Sequence, residues 1–499
     1  MLLNLGESPL SIEQVVSVAR TGSYVQFSAA AEVRIRKSRE HFEHRLAGGQ
    51  RIYGVNTGVG SNVNISLDAE RMHRLQHNVM SHLCCGTGAP LSEDLVRAAT
   101  LLRLATFATG TSAVRFELGS ALLALLNSGI VPVVPRYGSV GASGDLMPSA
   151  YVARVLLGRG EVTYQGARMA SERALALAGL SPIKFAPKEG VALVNGTTFM
   201  SAAAGLLWED SWRVLRALIG ALALTLEAME ATAEPFEPWV HEQKGHPGQI
   251  AVAQCIRRML DGSLFIHRSE SQDCYSLRCA PQGLGPSWEG LLDARKVIER
   301  EMNSANDNPL VDPETGRLFQ AGNFYGGHMA RLLDTWKMDM SVQATWANAL
   351  FAMLVDPRFN HGLPANLVPD AGVNCGFQGM QLSITSLTCA VRQIAGSSLI
   401  HTLPTEQYNQ DVVSLGMHSA VTAAEALECV RNAVAMSLLA AAQAVDLRGD
   451  AARLGAGCRQ LHRTLRALSP FLEYDRAMEH DISAVSDGIR TGSLDLGET

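Results

Sequence analysis

The 499-residue chain lacks several features that mark large classes of protein. Charged residues make up only 18% of it and aromatic residues 6%, and acidic residues outnumber basic ones by 48 to 42. Without a basic excess, a nucleic-acid-binding protein is not indicated. The longest alanine- and leucine-rich runs, such as residues 217–226, are too short to span a bilayer, so no membrane partner is expected. The hydrophobic fraction, 47%, excludes a disordered chain and indicates a globular protein.

The cysteine and histidine patterns exclude further functions. The nine cysteines include no Cys-x-x-Cys pair, and the 14 histidines include no His-Glu-x-x-His motif. Neither a disulfide framework nor a metal site is therefore predicted, and the cysteines are interpreted as reduced thiols. The amino terminus has no basic segment followed by an apolar stretch, so we expect a cytoplasmic protein.

Apolar spacing divides the chain into two predicted regions. Residues 1–200 alternate short apolar stretches with glycine-rich turns, which predicts a mixed, loop-rich amino-terminal region. Residues 201–499 carry apolar side chains at three- and four-residue spacing, which predicts a mostly α-helical protein with a long central up-and-down bundle and carboxy-terminal helices. The long predicted helices cover residues 202–231, 283–304, 329–355, 377–400 and 417–446, with breaks at prolines such as 281–286. Helices this long and apolar bury more than one face, so we expect subunits to pack together.

One segment, residues 138–148, carries the most informative chemistry. It reads Gly-Ser-Val-Gly-Ala-Ser-Gly-Asp-Leu-Met-Pro and contains the tripeptide Ala142-Ser143-Gly144. Because glycine has no Cβ, the nitrogen of Gly144 can approach the carbonyl group of Ala142 closely. The hydroxyl group of Ser143 can be lost as water. By composition alone, the same stretch is also compatible with an ordinary glycine- and serine-rich turn.

Together with six other blocks in family order, this segment resembles the aromatic amino acid ammonia-lyase and aminomutase family. The other blocks are residues 53–60, 193–197, 272–278, 303–309, 322–324 and 409–415. The resemblance implies that the tripeptide cyclises with loss of two waters and forms the electrophile 4-methylidene-imidazol-5-one (MIO), so no external cofactor is needed. It also implies a mostly helical subunit in a homotetramer, in which each active site takes residues from three subunits.

The resemblance also implies roles for individual residues. Tyr53 is the base that removes the β-proton of the substrate, on a loop whose glycines let it open and close. Arg278 binds the substrate carboxylate with its planar guanidinium group. Asn195 hydrogen-bonds the electrophilic group, and Tyr275 lies near the leaving amine. Four further residues fall at active-site positions of the family, namely Gly60, Gln272, Asn323 and Phe324.

The family blocks also lead to expectations for the pKa of Tyr53 and for the role of Cys274. An unperturbed phenol titrates near pH 10, so we expect a positive or hydrogen-bond-donating group to lower the pKa of Tyr53. Cys274 departs from the family pattern, in which proline or alanine is common at this position. It is either a thiol in the active site or a small buried filler, and the filler is favoured.

Two positions point to the substrate. Counted back from Gly86, the family's ring-recognition pair falls on His82 and Leu83, and this pair resembles tyrosine ammonia-lyases. An imidazole can hydrogen-bond a para-hydroxyl group while leucine packs on the ring. A register one residue earlier would give Ser81 and His82, which is the histidine-type pattern. Gln410 stands where histidine-specific members carry glutamate, so the charge that could pair with an imidazole substrate is missing.

The leading hypothesis is an ammonia-lyase that converts L-tyrosine to trans-p-coumarate and ammonia. A tyrosine 2,3-aminomutase is the nearest alternative, followed by an ammonia-lyase for phenylalanine or another arylalanine. A hypothesis of a different class is a non-catalytic helical oligomer that retains only the fold. The intact tripeptide, Tyr53 and Arg278 argue against it. The expected partners are a small aromatic amino acid and other copies of the chain.

Overall fold

The structure is a computed structural model that describes residues 2–266 and 272–494. It confirms the predicted mostly α-helical fold. In chain order, the α-helices of the described residues are α1 (Ile12–Val16), α2 (Ala29–Ala47), α3 (Ala69–Leu83), α4 (Glu93–Ala108), α5 (Phe116–Asn127), α6 (Leu146–Leu156), α7 (Ser171–Leu177), α8 (Glu189–Val194), α9 (Thr198–Ala228), α10 (Pro238–Lys244), α11 (Pro247–Met259), α12 (Tyr275–Arg278), α13 (Ala280–Met302), α14 (Gly327–Val355), α15 (Gln378–Ile394), α16 (Gly416–Arg448), α17 (Ala456–Leu468) and α18 (Glu479–Thr491). In the described ranges, no helix has both the length and the apolarity that crossing a membrane requires.

The β-strands are short. They are β1 (Leu2–Leu5), β2 (Tyr24–Phe27), β3 (Thr87–Pro90), β4 (Val131–Pro132), β5 (Pro135–Tyr137), β6 (Glu161–Tyr164), β7 (Ala167–Ala170), β8 (Leu310–Val311) and β9 (Leu318–Phe319). β1 pairs with β2 in parallel, and Leu3 lies opposite Val25. The remaining pairs are antiparallel: β3 with β5, β6 with both β4 and β7, and β8 with β9. Strands β1 to β7 all lie within residues 1–200.

The chain divides into two compact units that are discontinuous in sequence. The first unit comprises Met1–Glu209, Arg295–Asp334 and Ser397–Val421, and the second comprises Asp210–Ala294, Thr335–Gly396 and Thr422–Thr499. The predicted amino-terminal region, residues 1–200, therefore lies entirely within the first unit. Helices α9, α13, α14 and α16 contribute residues to both units.

Helix α4 forms much of the core of the first unit. Glu93 and Asp94 occupy its first turn, where negative charge is favourable beside the helix dipole. Further along the helix, Leu101, Leu104 and Phe107 are completely buried. Burial of each such side chain contributes about 1.5–3 kcal/mol, so α4 provides a rigid base for the loops of this unit.

Helix α3 is linked to the loop that contains Gly54 and to helix α8. The carboxylate of Asp68 accepts a hydrogen bond from the helix backbone and starts the helix. Within the helix, buried Gln76 donates its side-chain amide to the carbonyl oxygen of Gly54 at 3.1 Å and accepts from the nitrogen of Gly190 at 3.0 Å. These bonds fix the middle of α3, which ends at Leu83, relative to the loop that contains Gly54.

The predicted break at residues 281–286 is wrong, because α13 begins at Ala280 and continues through Pro286. Proline removes one backbone hydrogen bond from a helix interior. Burial of the surrounding side chains offsets this loss, since Leu284 and Ile298 of α13 are completely buried. The break was predicted from the prolines alone, and the sequence pattern does not show the tertiary contacts that bury the helix.

The predicted helix over residues 377–400 ends early, at Ile394. Gly396 and the two serines that follow it interrupt the helical pattern, and helix-breaking residues of this kind commonly end helices. The other long predicted helices agree with α9, α13, α14 and α16 to within a few residues at each end.

In the second unit, a half-buried carboxylate on α14 makes stability depend on pH. Burial raises the pKa of Asp339 to about 6, whereas the unfolded chain has a value near 4. The folded state therefore binds an extra proton between about pH 4 and 6, and the wild type loses stability as the pH rises through this window. Asparagine does not titrate, so the free energy of unfolding of Asp339→Asn, relative to that of the wild type, should be about 2 kcal/mol higher at pH 7 than at pH 4. Denaturant unfolding at the two pH values measures this. A difference that is the same at both pH values would contradict this.

Candidate active site

The tripeptide Ala142-Ser143-Gly144 lies in a tight turn between β5 and α6. A backbone bridge joins Ala142 to Gly144, so the first and third residues of the tripeptide lie side by side. The turn is held from outside by Gly196, whose nitrogen donates to the carbonyl oxygen of Ser143 at 3.1 Å. The carbonyl oxygen of Gly196 accepts from the nitrogen of Asp145 at 2.7 Å. Ser143 is buried, and its backbone is thus fixed on both sides.

Only glycine fits at the third position of the tripeptide. Gly144 has a left-handed φ of +77°, and a Cβ there would lie 2.1 Å from the carbonyl oxygen of Gly196. Gly196 is similarly confined, because its own Cβ would lie 2.2 Å from Oδ1 of Asn306. The bridge between Ala142 and Gly144 and the left-handed backbone of Gly144 bring the two ends of the tripeptide together, so the residues present fit the formation of MIO.

A set of buried charges lies behind the turn, and sequence reasoning did not identify it. Asp145 is completely buried, and its Oδ2 accepts from the nitrogen of Met200 at 2.9 Å. Burial raises the pKa of Asp145 to about 7. Burial also lowers the pKa of nearby Arg103 to about 10, although the negative charges of Asp307 and Asp145 raise it. Lys188 forms an ion pair with Asp307 at 2.7 Å, and both side chains are fully buried. Removal of one partner from a buried ion pair of this kind destabilises the folded protein by about 3–5 kcal/mol.

A cavity of about 170 Å³ opens beside the turn. Four predicted site residues line it: Leu83, Ala142, Gly144 and Gln410. The structure thus brings together Leu83 of α3, the tripeptide and the block near residue 410, although these segments are far apart in the chain. The cavity identifies this part of the first unit as the candidate active site.

The rest of the cavity wall combines apolar and polar side chains. Val140, Leu146 and Met147 provide an apolar surface, and Thr405 and Glu406 provide polar groups. The three apolar residues belong to the same motif as the tripeptide, so the motif itself could have predicted them. An apolar wall with a few polar groups suits an aromatic amino acid.

Tyr53 lies on a loop close to this cavity and is half-buried. Its hydroxyl oxygen accepts a hydrogen bond from the nitrogen of Gly60 at 2.9 Å. This bond lowers the pKa of Tyr53, but burial and the negative charge of Glu406 raise it more, so the pKa lies above its ordinary value. The predicted hydrogen-bond donor is present as the nitrogen of Gly60, but the prediction that the pKa of Tyr53 is lowered is wrong. Desolvation of the phenolate is the reason.

Glu406 is the main site residue that sequence reasoning missed. A Cβ on Gly60 would lie only 2.0 Å from the carboxylate of Glu406, so Glu406 lies against the Tyr53 loop. Glu406, Gln407 and Tyr408 have consecutive left-handed φ values of 48°, 55° and 66°. Non-glycine residues rarely adopt this conformation, and such strain is typical of functional loops. The position of Glu406, three residues before the block at 409–415, was the only sequence signal.

The predicted ring-recognition pair lies at the carboxy-terminal end of α3. Leu83 faces the cavity, whereas His82 is exposed in the chain and does not line the cavity. The helix ends here because the nitrogen of Cys84 bonds back to the carbonyl oxygen of Ser81 at 3.3 Å. The structure therefore brings Leu83 to the tripeptide and leaves His82 on the adjoining surface.

The remaining predicted residues of the first unit are held by hydrogen bonds. The side-chain amide of Asn195 donates to the carbonyl oxygens of Val191 and Asn308 at 3.1 and 3.3 Å. Asn195 directly precedes Gly196, so it lies next to the backbone that holds the tripeptide. The amide of exposed Asn323 donates to the carbonyl oxygen of Ala305 at 3.1 Å, and the neighbouring Phe324 is half-buried.

Three predicted site residues, Gln272, Tyr275 and Arg278, belong to the second unit. The guanidinium carbon of Arg278 lies 4.6 Å from the ring centroid of Tyr275, and its Nε donates to the carbonyl oxygen of Asp273 at 3.0 Å. Tyr275 and Gln272 are exposed, and so is Cys274. The interpretation of Cys274 as a buried filler is therefore wrong, because the residue lies at the exposed start of the short helix α12.

Comparison with known proteins agrees with this site. The family model for aromatic amino acid lyase matches residues 10–467. A histidine ammonia-lyase of Anaeromyxobacter sp. (strain K) is 40% identical over 510 residues, and the match covers 99% of this chain and 99% of the relative. The histidine ammonia-lyase of Myxococcus xanthus is 37% identical, over 97% of this chain and 96% of the relative.

Solved structures give the same result. Tyrosine aminomutase from Streptomyces globisporus superposes with a TM-score of 0.95 at 33% identity, over 99% of this chain and 98% of that one. Phenylalanine aminomutase from Pantoea agglomerans superposes with a TM-score of 0.94 at 31% identity, over 98% and 99%. With the tripeptide turn and its cavity in place, the chain belongs to the aromatic amino acid lyase family.

Proposed function

We propose that the protein is a tyrosine ammonia-lyase, which converts L-tyrosine to trans-p-coumarate and ammonia. The observation that carries this proposal is the composition of one cavity wall. Leu83, the second residue of the ring-recognition pair His82-Leu83, and Gln410, which is typical of the phenylalanine and tyrosine branch, line the same cavity as Ala142 and Gly144. Relatives named histidine ammonia-lyase support the class of reaction, while these two positions support a different substrate.

The neutral side chain of Gln410 is the strongest argument against histidine. Its Oε1 accepts a hydrogen bond from Oγ1 of Thr405 at 2.9 Å, which fixes the amide in the cavity. An amide offers no negative charge to an imidazole ring. The carboxylate of Glu406, which also lines the cavity, lies against Gly60 of the Tyr53 loop.

The residues of the chain suggest how the reaction proceeds. MIO formed from the tripeptide would supply an electrophile that captures the amine or the ring of the substrate. Arg278 would bind the substrate carboxylate with its planar guanidinium group. Tyr53 would take the β-proton, and the N–H group of Gly60 would stabilise the phenolate form of Tyr53. Because burial raises the pKa of Tyr53, the rate of the reaction should increase toward alkaline pH.

We further propose a homotetramer in which three subunits contribute to each active site. Long helices with several buried faces support assembly. Under this proposal, Tyr53 and Asn195 need not belong to the same subunit as Arg278. Sedimentation of the purified protein tests the number of subunits directly.

A tyrosine 2,3-aminomutase is the second candidate. It is favoured by the TM-score of 0.95 to the Streptomyces globisporus enzyme, which is named a tyrosine aminomutase. Chromatography of the products from tyrosine, phenylalanine and histidine distinguishes the candidates. trans-p-Coumarate with free ammonia supports the lyase, and β-tyrosine supports the aminomutase. Preferred turnover of histidine would refute both.

The substitution His82→Phe should shift preference from tyrosine toward phenylalanine. An unpaired buried hydroxyl group costs about 1–3 kcal/mol, so kcat/KM for tyrosine should fall by roughly tenfold or more. Turnover of phenylalanine should improve, because an imidazole without a partner no longer has to be desolvated. The measurement is the ratio of kcat/KM for the two amino acids in both proteins. An unchanged ratio would show that His82, which is exposed in the single chain, does not contact the substrate ring.

A further inference from the structure

A second groove lies at the carboxy-terminal end of α3 and shares no lining residue with the candidate active site. It has a volume of about 220 Å³ and is bounded by α3, by α6 and by the turn that precedes β6. Two arginines line it, Arg154 from α6 and Arg159 from the turn. We call it the arginine groove. Neither its position nor its residues are used by the proposed reaction.

Arg154 is held in one orientation. Its guanidinium carbon lies 4.1 Å from the ring centroid of Tyr151, and the hydroxyl oxygen of Tyr151 is itself fixed by the nitrogen of Gly86 at 3.1 Å. On the other side, a Cβ on Gly160 would lie 2.4 Å from Nε of Arg154, so the turn leaves room for the guanidinium group only because residue 160 is glycine. A guanidinium group fixed in this way can bind an anion without first losing side-chain freedom.

The groove is not neutralised by the protein. Within the described parts of the chain, neither Arg154 nor Arg159 forms an ion pair with a carboxylate, and the nearest acidic residue along the chain, Glu161, is paired with Arg168 at 2.7 Å. Burial raises the pKa of the Cys84 thiol more than Arg154, which donates a hydrogen bond to its sulfur, lowers it, so the thiol remains uncharged at neutral pH.

Basic side chains also lie around His77, which is on the same helix as one wall of the groove. His77, six residues before the end of α3, stacks on Phe185 with 5.9 Å between ring centroids. Burial lowers the pKa of His77, and the positive charges of Arg159, His73 and Lys184 lower it further. The surroundings of the groove therefore attract anions.

The remaining wall of the groove is partly apolar. Met80 and Leu157 line it, and Ser81 adds a hydroxyl group. A buried cavity of about 150 Å³ holds a molecule of benzene, so the volume of this groove suits a small aromatic or aliphatic body. A ligand with an apolar body and one carboxylate would use both kinds of surface, whereas an inorganic anion would use only the arginines.

We propose that the arginine groove binds a small organic carboxylate, with the carboxylate group on Arg154 and Arg159 and the apolar body on Met80 and Leu157. The planar guanidinium group matches the two carboxylate oxygens, as it does in other carboxylate sites. This site is separate from the candidate active site, and the proposal holds whichever amino acid the enzyme uses.

Isothermal titration of the full-length protein with sodium benzoate, at constant ionic strength, tests the proposal, and its repetition with Arg278→Gln distinguishes benzoate bound at the carboxylate-binding arginine of the proposed reaction from benzoate in the groove. Arg159→Gln removes an exposed charge with little effect on folding, and Arg154→Gln removes the fixed one. Each substitution should weaken benzoate binding by about tenfold, as expected for loss of a charged hydrogen bond. Arg173→Gln, at an exposed arginine on α7 outside the groove, is the matched control and should bind benzoate like the wild type.

Inorganic phosphate is the second probe and should bind at least tenfold more weakly than benzoate. Three results would overturn the proposal: no binding of benzoate to the wild type, equal binding by the wild type and both groove variants, or phosphate binding as tight as that of benzoate. Loss of activity against tyrosine in any variant does not bear on it, since the readout is the binding of benzoate. The proposed function can therefore fail while this proposal stands.

Discussion

Replacing Ser143 with alanine is expected to leave a folded protein with almost no lyase activity. The hydroxyl group of Ser143 is needed for the dehydration that gives the electrophile. The hydrogen bond that holds residue 143 comes from the nitrogen of Gly196 to a backbone carbonyl oxygen, so it survives the substitution. Loss of one side-chain hydrogen bond costs only about 1 kcal/mol, which a folded assembly tolerates.

The measurements are the intact mass and the rate of product formation. The wild type should be lighter than its sequence mass by two waters, and Ser143→Ala should retain both waters while lacking the serine oxygen. Ser149→Ala is a matched control, because Ser149 is also a buried serine and lies in the helix that follows the turn. It should lose two waters as the wild type does. Wild-type turnover by Ser143→Ala would refute the assignment of the tripeptide.

The second large effect is expected from Tyr53→Phe, which should reduce kcat far more than it raises KM. The ring remains to shape the loop, and only the hydroxyl group that receives the proton is lost. General bases typically contribute about 10²- to 10⁴-fold to the rate, and we expect a loss in this range. The nitrogen of Gly60 loses its acceptor at the same time, so a small loss of stability should accompany the loss of rate.

Steady-state kinetics with tyrosine measure this effect, and the pH profile gives a second readout. The activity of the wild type should increase toward alkaline pH, while any residual activity of Tyr53→Phe should lack this dependence. Tyr24→Phe, at an exposed position on β2, provides the control for loss of a phenolic hydroxyl group. An increase in KM as large as the decrease in kcat would mark Tyr53 as a packing residue and not as the base.

The long helices could be predicted from the sequence because their signal is local and repeated. Apolar spacing over residues 202–231, 329–355 and 417–446 located α9, α14 and α16. The errors arose where one residue was given more weight than its surroundings. Pro286 lies inside α13 because buried neighbours compensate for the missing hydrogen bond, and no local pattern reports such contacts.

The candidate site was predictable only in part. The tripeptide, Leu83 and Gln410 came from motifs, and the cavity brings them together. The direction of the pKa shift of Tyr53 depends on burial and on Glu406, which follows it by some 350 residues in the chain. The ion pair of Lys188 with Asp307 likewise joins residues 119 positions apart. Such pairings depend on the tertiary fold.

The left-handed segment from Glu406 to Tyr408 has a practical consequence for protein engineering. Each non-glycine residue in this conformation costs of order 1 kcal/mol, so three in succession make this loop an obvious target for raising heat resistance. Glycine at position 407 would relieve part of that cost. It would also free the backbone that presses the carboxylate of Glu406 against the Tyr53 loop. Variant libraries selected only for thermal stability should therefore accumulate substitutions at residues 406–408 that reduce kcat. Screens of such libraries should measure kcat together with Tm.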